Sequence, residues 1–471
     1  MLHRINPATE MPLEPVAEHS DEEVEAILRR AADAFAGWRR VPIGERAAVM
    51  RRAGAVLRER SADLCAVMAR EMGKPVTAGA QEVEKCAGAC EFFADHAAEM
   101  LANDVIATDA ARSYVRYDPL GAVLAIMPWN FPLWQVVRFA APALMAGNVG
   151  VLKHAPNVPE CARAIEEVFA AAGFPPGVFA AVLVGNDRAA GLIRHEAIRA
   201  VTLTGSERAG MAVASEAGKV LKKTVLELGG SDPFIVIPPE GPGADEFLRR
   251  VAKHAAAARC INAGQSCIAA KRFIVSTPFE SERRNIGVFE RALVEAMTAL
   301  RVGDPTDPAT EVGPLARLDL LEHLHDQVQR SVDGEWTRVL TGGHRLDRPG
   351  YFYAPTVISG SFRSAAWTEE TFGPVAAVTG VDGGPYEDSA WAAVAFANDT
   401  SYGLGASIWT DDVALAERLA GEIEAGCVFV NGIVKSDVRL PFGGVKNSGY
   451  GRELSTAGIR EFVNVKTVWM G

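Results

Sequence analysis

The sequence predicts an α/β protein built from two doubly wound lobes and a small additional β element. Short apolar runs that end in Gly, Pro or Ser, such as GAVLAIMPW and AVTLTGS, alternate with helix-like segments such as VPECARAIEEVFAAAG. Buried strands that alternate with helices form parallel sheets with helices on both faces. The alternation starts again near residue 229 with DPFIVI and KRFIVS, which predicts the second lobe.

The segments outside these lobes also have local signals. Residues 20–100 are predicted to be helical, because Ser20 and Glu23 have the spacing of a capping box and apolar residues then recur at helical intervals. A later helical segment ends in Gly-Lys-Pro at 73–75, which is typical of a helix stop. RSYVRY at 112–117 and the C-terminal FVNVKTVWM are predicted strands, and the second needs an edge with which to pair.

Composition and charge exclude several classes of protein. The chain has 471 residues, enough for about three domains at ~150 residues each. Its net charge of −11 argues against binding to nucleic acid or to an anionic membrane surface, and no apolar run is long enough to span a membrane. Seven dispersed cysteines and nine histidines without zinc spacing predict reduced thiols, a cytoplasmic location and no structural metal.

Three motifs contain candidate catalytic side chains, and each has a structural alternative. Cys267 in NAGQSC is either a nucleophile or a small buried hydrophobe, and its spacing alone favours the second. Glu227 in VLELGG is either a buried acid with a raised pKa, suited to general-base catalysis, or an ordinary strand-end glutamate. Asn130 in PWNFP can donate hydrogen bonds to an oxyanion or cap a turn.

A fourth motif, TLTGSERAG at 202–210, leads a strand into a helix. Helix N-termini can bind phosphate groups, which makes Gly205, Ser206 and Gly210 candidate cofactor contacts. The glycine spacing matches neither the GxGxxG fingerprint nor a Walker A loop. Alone, the motif therefore favours a plain link between a strand and a helix.

In combination, these motifs resemble the NAD(P)-dependent aldehyde dehydrogenase superfamily, most nearly its bacterial succinate-semialdehyde dehydrogenases. PWNFP, LKHAPNVP, TGSERAG, LELGGSDPF, NAGQSC, EETFGPV and PFGGVKNSGYGRE occur in the family's order over more than 300 residues. The resemblance implies Rossmann-like lobes and a homodimer or homotetramer. It implies a cofactor-binding domain at 1–102 and 120–228, a catalytic domain at 229–440, and an oligomerisation element at 103–119 and 455–471.

The resemblance also implies a reaction. Cys267 attacks a small-molecule aldehyde, Asn130 holds the oxyanion, a hydride passes to NAD or NADP, and Glu227 activates water that releases the acid from a thioester. The expected cofactor contacts are Trp129, Lys153, Pro156, Gly205, Ser206, Gly210, Leu228, Glu370 and Phe372. Pro156 stands where many NAD-preferring relatives have a glutamate, so no carboxylate repels a 2′-phosphate and NADP is allowed.

Residues that contact the substrate are implied more weakly. Arg138 matches the arginine that grips the distal carboxylate of succinate semialdehyde, and a purely structural arginine is the alternative. A second arginine of some relatives is Ile261 here, and Trp134, Ser266, Ser436 and Arg439 are candidates for the missing contacts, although Arg439 is equally consistent with the surface. Other aliphatic or acid-bearing aldehydes, a cysteine hydrolase, and a non-enzymatic member of the fold are the alternative functions.

Overall fold

The computed structural model describes residues 1–281, 284–334, 336–360 and 362–471. In this part of the chain no helix is both long and apolar enough to cross a membrane. The helices described here are α1 (Asp21–Trp38), α2 (Ile43–Glu59), α3 (Ser61–Met72), α4 (Val76–Met100), α5 (Trp134–Met145), α6 (Pro159–Ala171), α7 (Ala189–Arg194), α8 (Glu207–Lys219), α9 (Ala244–Cys260), α10 (Arg284–Thr298), α11 (Leu318–Val332), α12 (Ala365–Thr368), α13 (Tyr386–Asn398), α14 (Val413–Ala420) and α15 (Ser455–Ile459).

The strands of the same residues form four sheets. They are β1 (Leu2–Ile5), β2 (Pro12–Val16), β3 (Asp104–Val105), β4 (Arg112–Pro119), β5 (Ala122–Met127), β6 (Val149–His154), β7 (Phe179–Ala181), β8 (Ile198–Thr204), β9 (Lys223–Glu227), β10 (Pro233–Val236), β11 (Arg272–Ser276), β12 (Arg338–Thr341), β13 (Thr356–Ser359), β14 (Val375–Val381), β15 (Gly405–Trp409), β16 (Cys427–Val430), β17 (Gly449–Tyr450) and β18 (Val463–Met470).

The helix signals of the N-terminal region are confirmed. The Ser20 hydroxyl accepts the Glu23 N–H at 3.2 Å, and the Glu23 carboxylate accepts the Ser20 N–H at 2.7 Å, which completes the capping box of α1. Helix α3 ends at Gly73, whose φ of +77° is the left-handed conformation that glycine adopts without strain. The segment before this stop is two helices, α2 and α3, separated at Arg60.

The first large sheet contains the strands that were predicted before residue 229. Its order is β17-β9-β8-β5-β6-β7, and β9, β8, β5, β6 and β7 run parallel, with β17 antiparallel at one edge. Every residue of β6 is buried, as expected for a parallel strand with helices on both faces. This is the first predicted doubly wound lobe.

The second large sheet forms the other lobe. Its order is β12-β13-β14-β11-β10-β15-β16, parallel except for β12 at the edge. Phe234 and Val236 of β10 belong to one hydrophobic core, while Ile235 and Ile237 belong to another. Because side chains alternate along a strand, these cores lie on opposite faces of the sheet. The predicted α/β class with two doubly wound lobes is confirmed.

A small sheet with the order β18-β4-β3 combines the chain's C-terminal strand with RSYVRY. Strands β18 and β4 pair antiparallel along their full length, from Val463 opposite Pro119 to Met470 opposite Arg112. Strand β18 lies at the edge of this sheet, with Val465, Trp469 and Met470 exposed. The predicted strands are confirmed, while the role of this sheet in assembly and the division of the chain into domains stay predictions.

Candidate active site

Cys267 follows a tight turn at the end of α9. Asn262, Ala263 and Gly264 have φ angles of +52°, +56° and +76°, three successive residues in the left-handed region. A Cβ on Gly264 would lie 2.2 Å from the carbonyl oxygen of Gly373, so only glycine fits there. Backbone that adopts an unfavourable conformation is held by its surroundings, and such strain is frequent at functional sites.

Hydrogen bonds join this turn to the PWNFP loop that follows β5. The Asn130 side-chain amide donates to the carbonyl of Gln265 at 3.0 Å, and the Asn262 amide donates to the carbonyl of Asn130 at 2.7 Å. These bonds bring Asn130 to the loop of Cys267, although the two residues are distant in the sequence. They also fix the orientation of the Asn130 amide, which is what an oxyanion donor requires.

Lys271 organises the other side of the Cys267 loop, and sequence reasoning missed it. Its buried ammonium donates to the carbonyls of Ser266, Cys267 and Ala269 at 3.1, 2.7 and 3.1 Å. The loop therefore curls around one cation. The available signal was a lysine directly before the apolar strand β11, where a charged side chain is buried only when it has specific partners.

The Cys267 side chain is half-buried in this centre. Burial raises the pKa of its thiol to about 12, against the opposing pull of the positive charges on Arg138 and Lys271. The thiol in this environment is therefore protonated at neutral pH. Because the thiolate is the reactive form, nucleophilic attack needs a base that accepts the thiol proton.

Glu227 ends strand β9 and is buried, so the alternative of a solvated strand-end glutamate is wrong. Within the described residues neither carboxylate oxygen has a hydrogen-bond partner. Burial, and next the like charge of Glu453, raises the pKa of Glu227 well above 4.5, while Arg138 opposes the shift. A Cβ on Gly443 would lie 2.7 Å from Glu227 Oε1, so a glycine there leaves room for the carboxylate.

Arg138 on α5 is buried in an ion pair with Glu453, the side chains being 2% and 5% exposed. It also donates to the Thr204 hydroxyl at 3.3 Å and lies 4.7 Å from the centre of the Phe442 ring. Glu453 is the last residue of PFGGVKNSGYGRE, and sequence reasoning gave it no role. The predicted contact of Arg138 with a substrate carboxylate stays a prediction.

Gly229 and Gly230, which follow Glu227 and Leu228, let the backbone lie close to Glu370 and to the Cys267 loop. A Cβ on Gly229 would lie 2.4 Å from Glu370 Oε2, and one on Gly230 would lie 2.8 Å from the Cys267 carbonyl oxygen. The Gly230 N–H donates to Glu370 Oε1 at 3.0 Å, and Lys271 Nζ lies 3.7 Å from the same oxygen. The predicted site residues Glu370, Glu227 and Cys267 thus converge on one region.

The predicted contacts from TGSERAG lie between β8 and α8. Ser206 is the N-cap of α8, and its hydroxyl accepts the Ala209 N–H at 3.3 Å. The Gly205 N–H donates to the Glu227 carbonyl at 3.0 Å. A Cβ on Gly210 would lie 2.5 Å from Leu228 Cδ1, so glycine lets the helix pack closely on this residue.

The remaining cofactor candidates surround the ends of β5 and β6. Trp129 and Phe372 meet edge to face with ring centres 5.8 Å apart. Lys153 is buried and donates to the Asn186 side chain, and burial lowers its pKa to about 8. Pro156 is half-buried in the turn after β6. Neighbouring His154 is buried, with its ring nitrogens beside the backbone carbonyls of Met127 and Pro132.

The substrate candidates divide into a buried set and one surface residue. Trp134, Ser266 and Ser436 are buried. Arg439 pairs with Asp437 at 2.6 Å, and its side chain is 74% exposed, so it lies at the surface. No cluster of three or more potential metal ligands occurs among residues 1–281, 284–334, 336–360 and 362–471.

Comparison with known proteins identifies the family. A model of the aldehyde dehydrogenase family matches residues 1–468. The chain belongs to this family. It is 48% identical over 467 residues to a probable NADP(+) succinate-semialdehyde dehydrogenase of Synechocystis sp., covering 99% of both chains. It is also 48% identical over 478 residues to an NADP(+) succinate-semialdehyde dehydrogenase of Mycobacterium avium, covering 99% of this chain and 96% of the relative.

A solved structure gives the same result. The succinic semialdehyde dehydrogenase of Streptococcus pyogenes in complex with NADP+ superposes with a TM-score of 0.92 at 35% identity, covering all of both chains. The resemblance inferred from the motifs, the fold class and the enzyme class of aldehyde dehydrogenase are therefore confirmed. The roles of the individual site residues stay predictions.

Proposed function

We propose that this aldehyde dehydrogenase oxidises succinate semialdehyde to succinate with NADP, and with NAD as the alternative acceptor. The observation that supports it most is the convergence of the Cys267 loop, the Asn130 amide and the buried Glu227 carboxylate, with cationic groups beside them. The relatives from Synechocystis sp. and Mycobacterium avium support the choice of aldehyde, because they align over nearly the whole chain.

The residues present fit a dinucleotide cofactor. Lys153 and the N-terminus of α8 at Ser206 are suited to phosphate or ribose oxygens, and the Glu370 carboxylate is suited to ribose hydroxyls. Pro156 offers no carboxylate that would repel a 2′-phosphate, which supports NADP. When bound, the nicotinamide ring accepts a hydride from the reacting carbon.

In the first half of the reaction, the Cys267 sulfur forms a bond with the aldehyde carbon. Glu227 accepts the thiol proton, and burial raises the pKa of this carboxyl, which makes it a stronger base than an exposed glutamate. The Asn130 amide donates to the oxygen that becomes negative. The lone pair of this oxyanion re-forms the carbonyl as the hydride leaves, and the acyl group stays on Cys267 as a thioester.

Before the second half, Glu227 releases the thiol proton to solvent. The ionised carboxylate then removes a proton from water, and the resulting hydroxide attacks the thioester carbon. Asn130 again stabilises the oxyanion, and the carbon–sulfur bond breaks. The thiolate of Cys267 is then reprotonated, and the carboxylic acid is released in its ionised form. One aldehyde and one water thus give one carboxylate, one hydride and two protons.

The test compares kcat/KM for succinate semialdehyde and for butanal, which has the same number of carbons and no carboxylate, each with NADP and with NAD. We expect the acid to be preferred by at least about tenfold, since a charge-assisted contact contributes roughly 1.5–3 kcal/mol, and NADP to be preferred over NAD. Equal rates or a preference for butanal would contradict the assigned aldehyde but leave the dehydrogenase reaction in place.

We further propose a homodimer or homotetramer that works in the cytoplasm. Strand β18 and strand β16 each lie at the edge of a sheet, and the exposed Trp469 and Met470 of β18 are suited to burial against another copy. All seven cysteines are free thiols, which is typical of a reducing compartment. Light scattering of the full chain tests the assembly, and a monomer at micromolar concentration would contradict it.

A further inference from the structure

Lys85 lies where three elements meet, beside two of the predicted substrate residues. Its ammonium donates to the Ser436 hydroxyl at 2.6 Å and lies 4.2 Å from the centre of the Trp134 ring. Lys85 is on α4, Trp134 begins α5, and Ser436 is in the loop after β16. Lys85 therefore directly contacts two residues that were expected to contact the substrate.

Electrostatic effects connect Lys85 to the reaction centre. Besides burial, the positive charge of Arg138 lowers the pKa of Lys85. The same charge opposes the rise in the pKa of the Cys267 thiol that burial causes. The charge of Arg138 also opposes the rise in the pKa of Glu227. The Cys267 thiol, the Glu227 carboxyl and the Lys85 ammonium therefore all lie within reach of the Arg138 charge.

Carboxylates near Lys85 are engaged by other partners. Glu82, one turn earlier on α4, pairs with Lys74 and accepts two backbone N–H groups at the start of α5, both at 2.9 Å. Asp437 pairs with Arg439 at 2.6 Å. Within the described residues, Lys85 has no carboxylate in ion-pair contact, and its partners are a hydroxyl and an aromatic ring.

Arg138 differs from Lys85 in this respect, because it already forms an ion pair with the buried Glu453. A cation that loses water without gaining a counter-ion raises the free energy of the protein, and an anion placed beside it removes that cost. Of these two cations, Arg138 has a counter-ion and Lys85 has none among the described residues. The uncompensated one is the stronger receptor for a ligand carboxylate.

We infer that Lys85, with the hydroxyl of Ser436, binds the distal carboxylate of the substrate and selects acid-bearing aldehydes over neutral ones. This inference rests on the proposed function. It gives the direct contact to Lys85, whereas the sequence resemblance gave it to Arg138. Arg138 then contributes its charge from the neighbouring position while it remains paired with Glu453.

The experiment measures the ratio of kcat/KM for succinate semialdehyde to kcat/KM for butanal in the wild type, Lys85→Met and Lys85→Arg. Methionine keeps the stem that packs on Trp134 and removes the charge. We expect Lys85→Met to lower the ratio roughly 10- to 100-fold, the loss of one charge-assisted contact, mainly through KM for the acid. Lys85→Arg should retain most of the ratio. Lys253→Met on the exposed face of α9 is the control for the change in net charge.

The outcomes separate this inference from the proposed function. A wild type that does not prefer the acid contradicts the proposed function, whatever the variants do. A wild type that prefers the acid, with an unchanged ratio in Lys85→Met, contradicts the role of Lys85 alone. An equal loss of kcat/KM for both aldehydes in Lys85→Met also contradicts the role of Lys85, whatever the result for Lys85→Arg. A structural role would affect both substrates in this way.

The pH dependence of the ratio gives a second readout. Burial, and next the charge of Arg138, lowers the pKa of Lys85 to about 8, against the opposing effects of Cys86, Glu82 and Asp437. As pH rises through about 8, the ammonium loses its proton, so the wild-type ratio should fall. Because arginine stays protonated in this range, the ratio of Lys85→Arg should be flat. The same pH profile in both proteins would overturn the inference.

Discussion

Two buried glutamates, Glu71 on α3 and Glu227 on β9, show how differently this protein uses the same side chain. Burial raises the pKa of both. Glu71 accepts the N–H groups of Glu160 and Cys161 at 3.0 and 2.9 Å and pairs with Arg4 at 2.8 Å. Glu227 has no hydrogen-bond partner among the described residues, and the nearby Glu453 adds a like charge.

Hydrogen-bond partners distinguish a structural acid from a functional one. The free energy needed to bury the Glu71 carboxylate is partly offset by its hydrogen bonds and ion pair, and these contacts join α3, α6 and β1. The carboxylate of Glu227 lacks that compensation and is therefore available to exchange protons. A buried acid without partners is a candidate for catalysis, and one with all its partners belongs to the fold.

The largest expected effect is that of Glu227→Gln on activity. Because glutamine cannot accept a proton, we expect kcat to fall roughly 10²- to 10⁴-fold. The melting temperature should not fall, since burial of this carboxyl destabilises the folded state at neutral pH: its folded pKa lies above the unfolded value of 4.5, so the cost is present at higher pH. Steady-state kinetics and thermal unfolding of the same preparation test this. A large fall in melting temperature would make Glu227 a structural acid like Glu71.

Glu71→Gln should give the reverse result. The variant leaves one N–H donor and part of the Arg4 charge without a partner, so the free energy of unfolding should fall by about 2–4 kcal/mol. The folded fraction should keep a kcat close to that of the wild type. Urea unfolding and active-site titration measure the two quantities. Glu167→Gln, which removes an exposed acid paired with Arg60, is the matched control and should change little.

The smallest expected effect is that of Glu453→Gln on the pH dependence of activity. Glu453→Gln removes the like charge that raises the pKa of Glu227 and frees Arg138 to lower it further. The base must be ionised to act, so activity rises with pH through its pKa. The acid limb of kcat/KM should therefore move to lower pH. A limb that stays in place or moves to higher pH would contradict this coupling.

Much of the fold was predictable because its signals are local. The capping box at Ser20, the glycine stop at Gly73 and the apolar runs of β5, β6 and β8 specify their elements within a few residues. The order of strands in each sheet is a long-range property. The sequence predicted the strands but not their order, which pairings between distant segments such as β9 and β17 set in the folded chain.

The site was predictable where motifs contain it and missed where distant contacts create it. Cys267, Glu227 and Asn130 each lie in a quoted motif, and the structure adds that Asn130 is bonded to the cysteine loop. Lys85 was missed because its partners Trp134 and Ser436 lie far along the chain. Lys271 has partners only two to five residues away, but the curl of the loop around its ammonium exists only in the folded chain. Burial and lack of a counter-ion are properties of the folded chain that local patterns do not report.

The most direct test of the proposed role of Glu227 is whether an acyl-enzyme accumulates on Glu227→Gln. The variant is mixed with succinate semialdehyde and NADP, and NADPH formation and the intact mass of the protein are followed through the first turnover. The account predicts a first equivalent of NADPH, slower than in the wild type, followed by nearly arrested turnover and a thioester on Cys267. Turnover at the wild-type rate with no acyl-enzyme would contradict it.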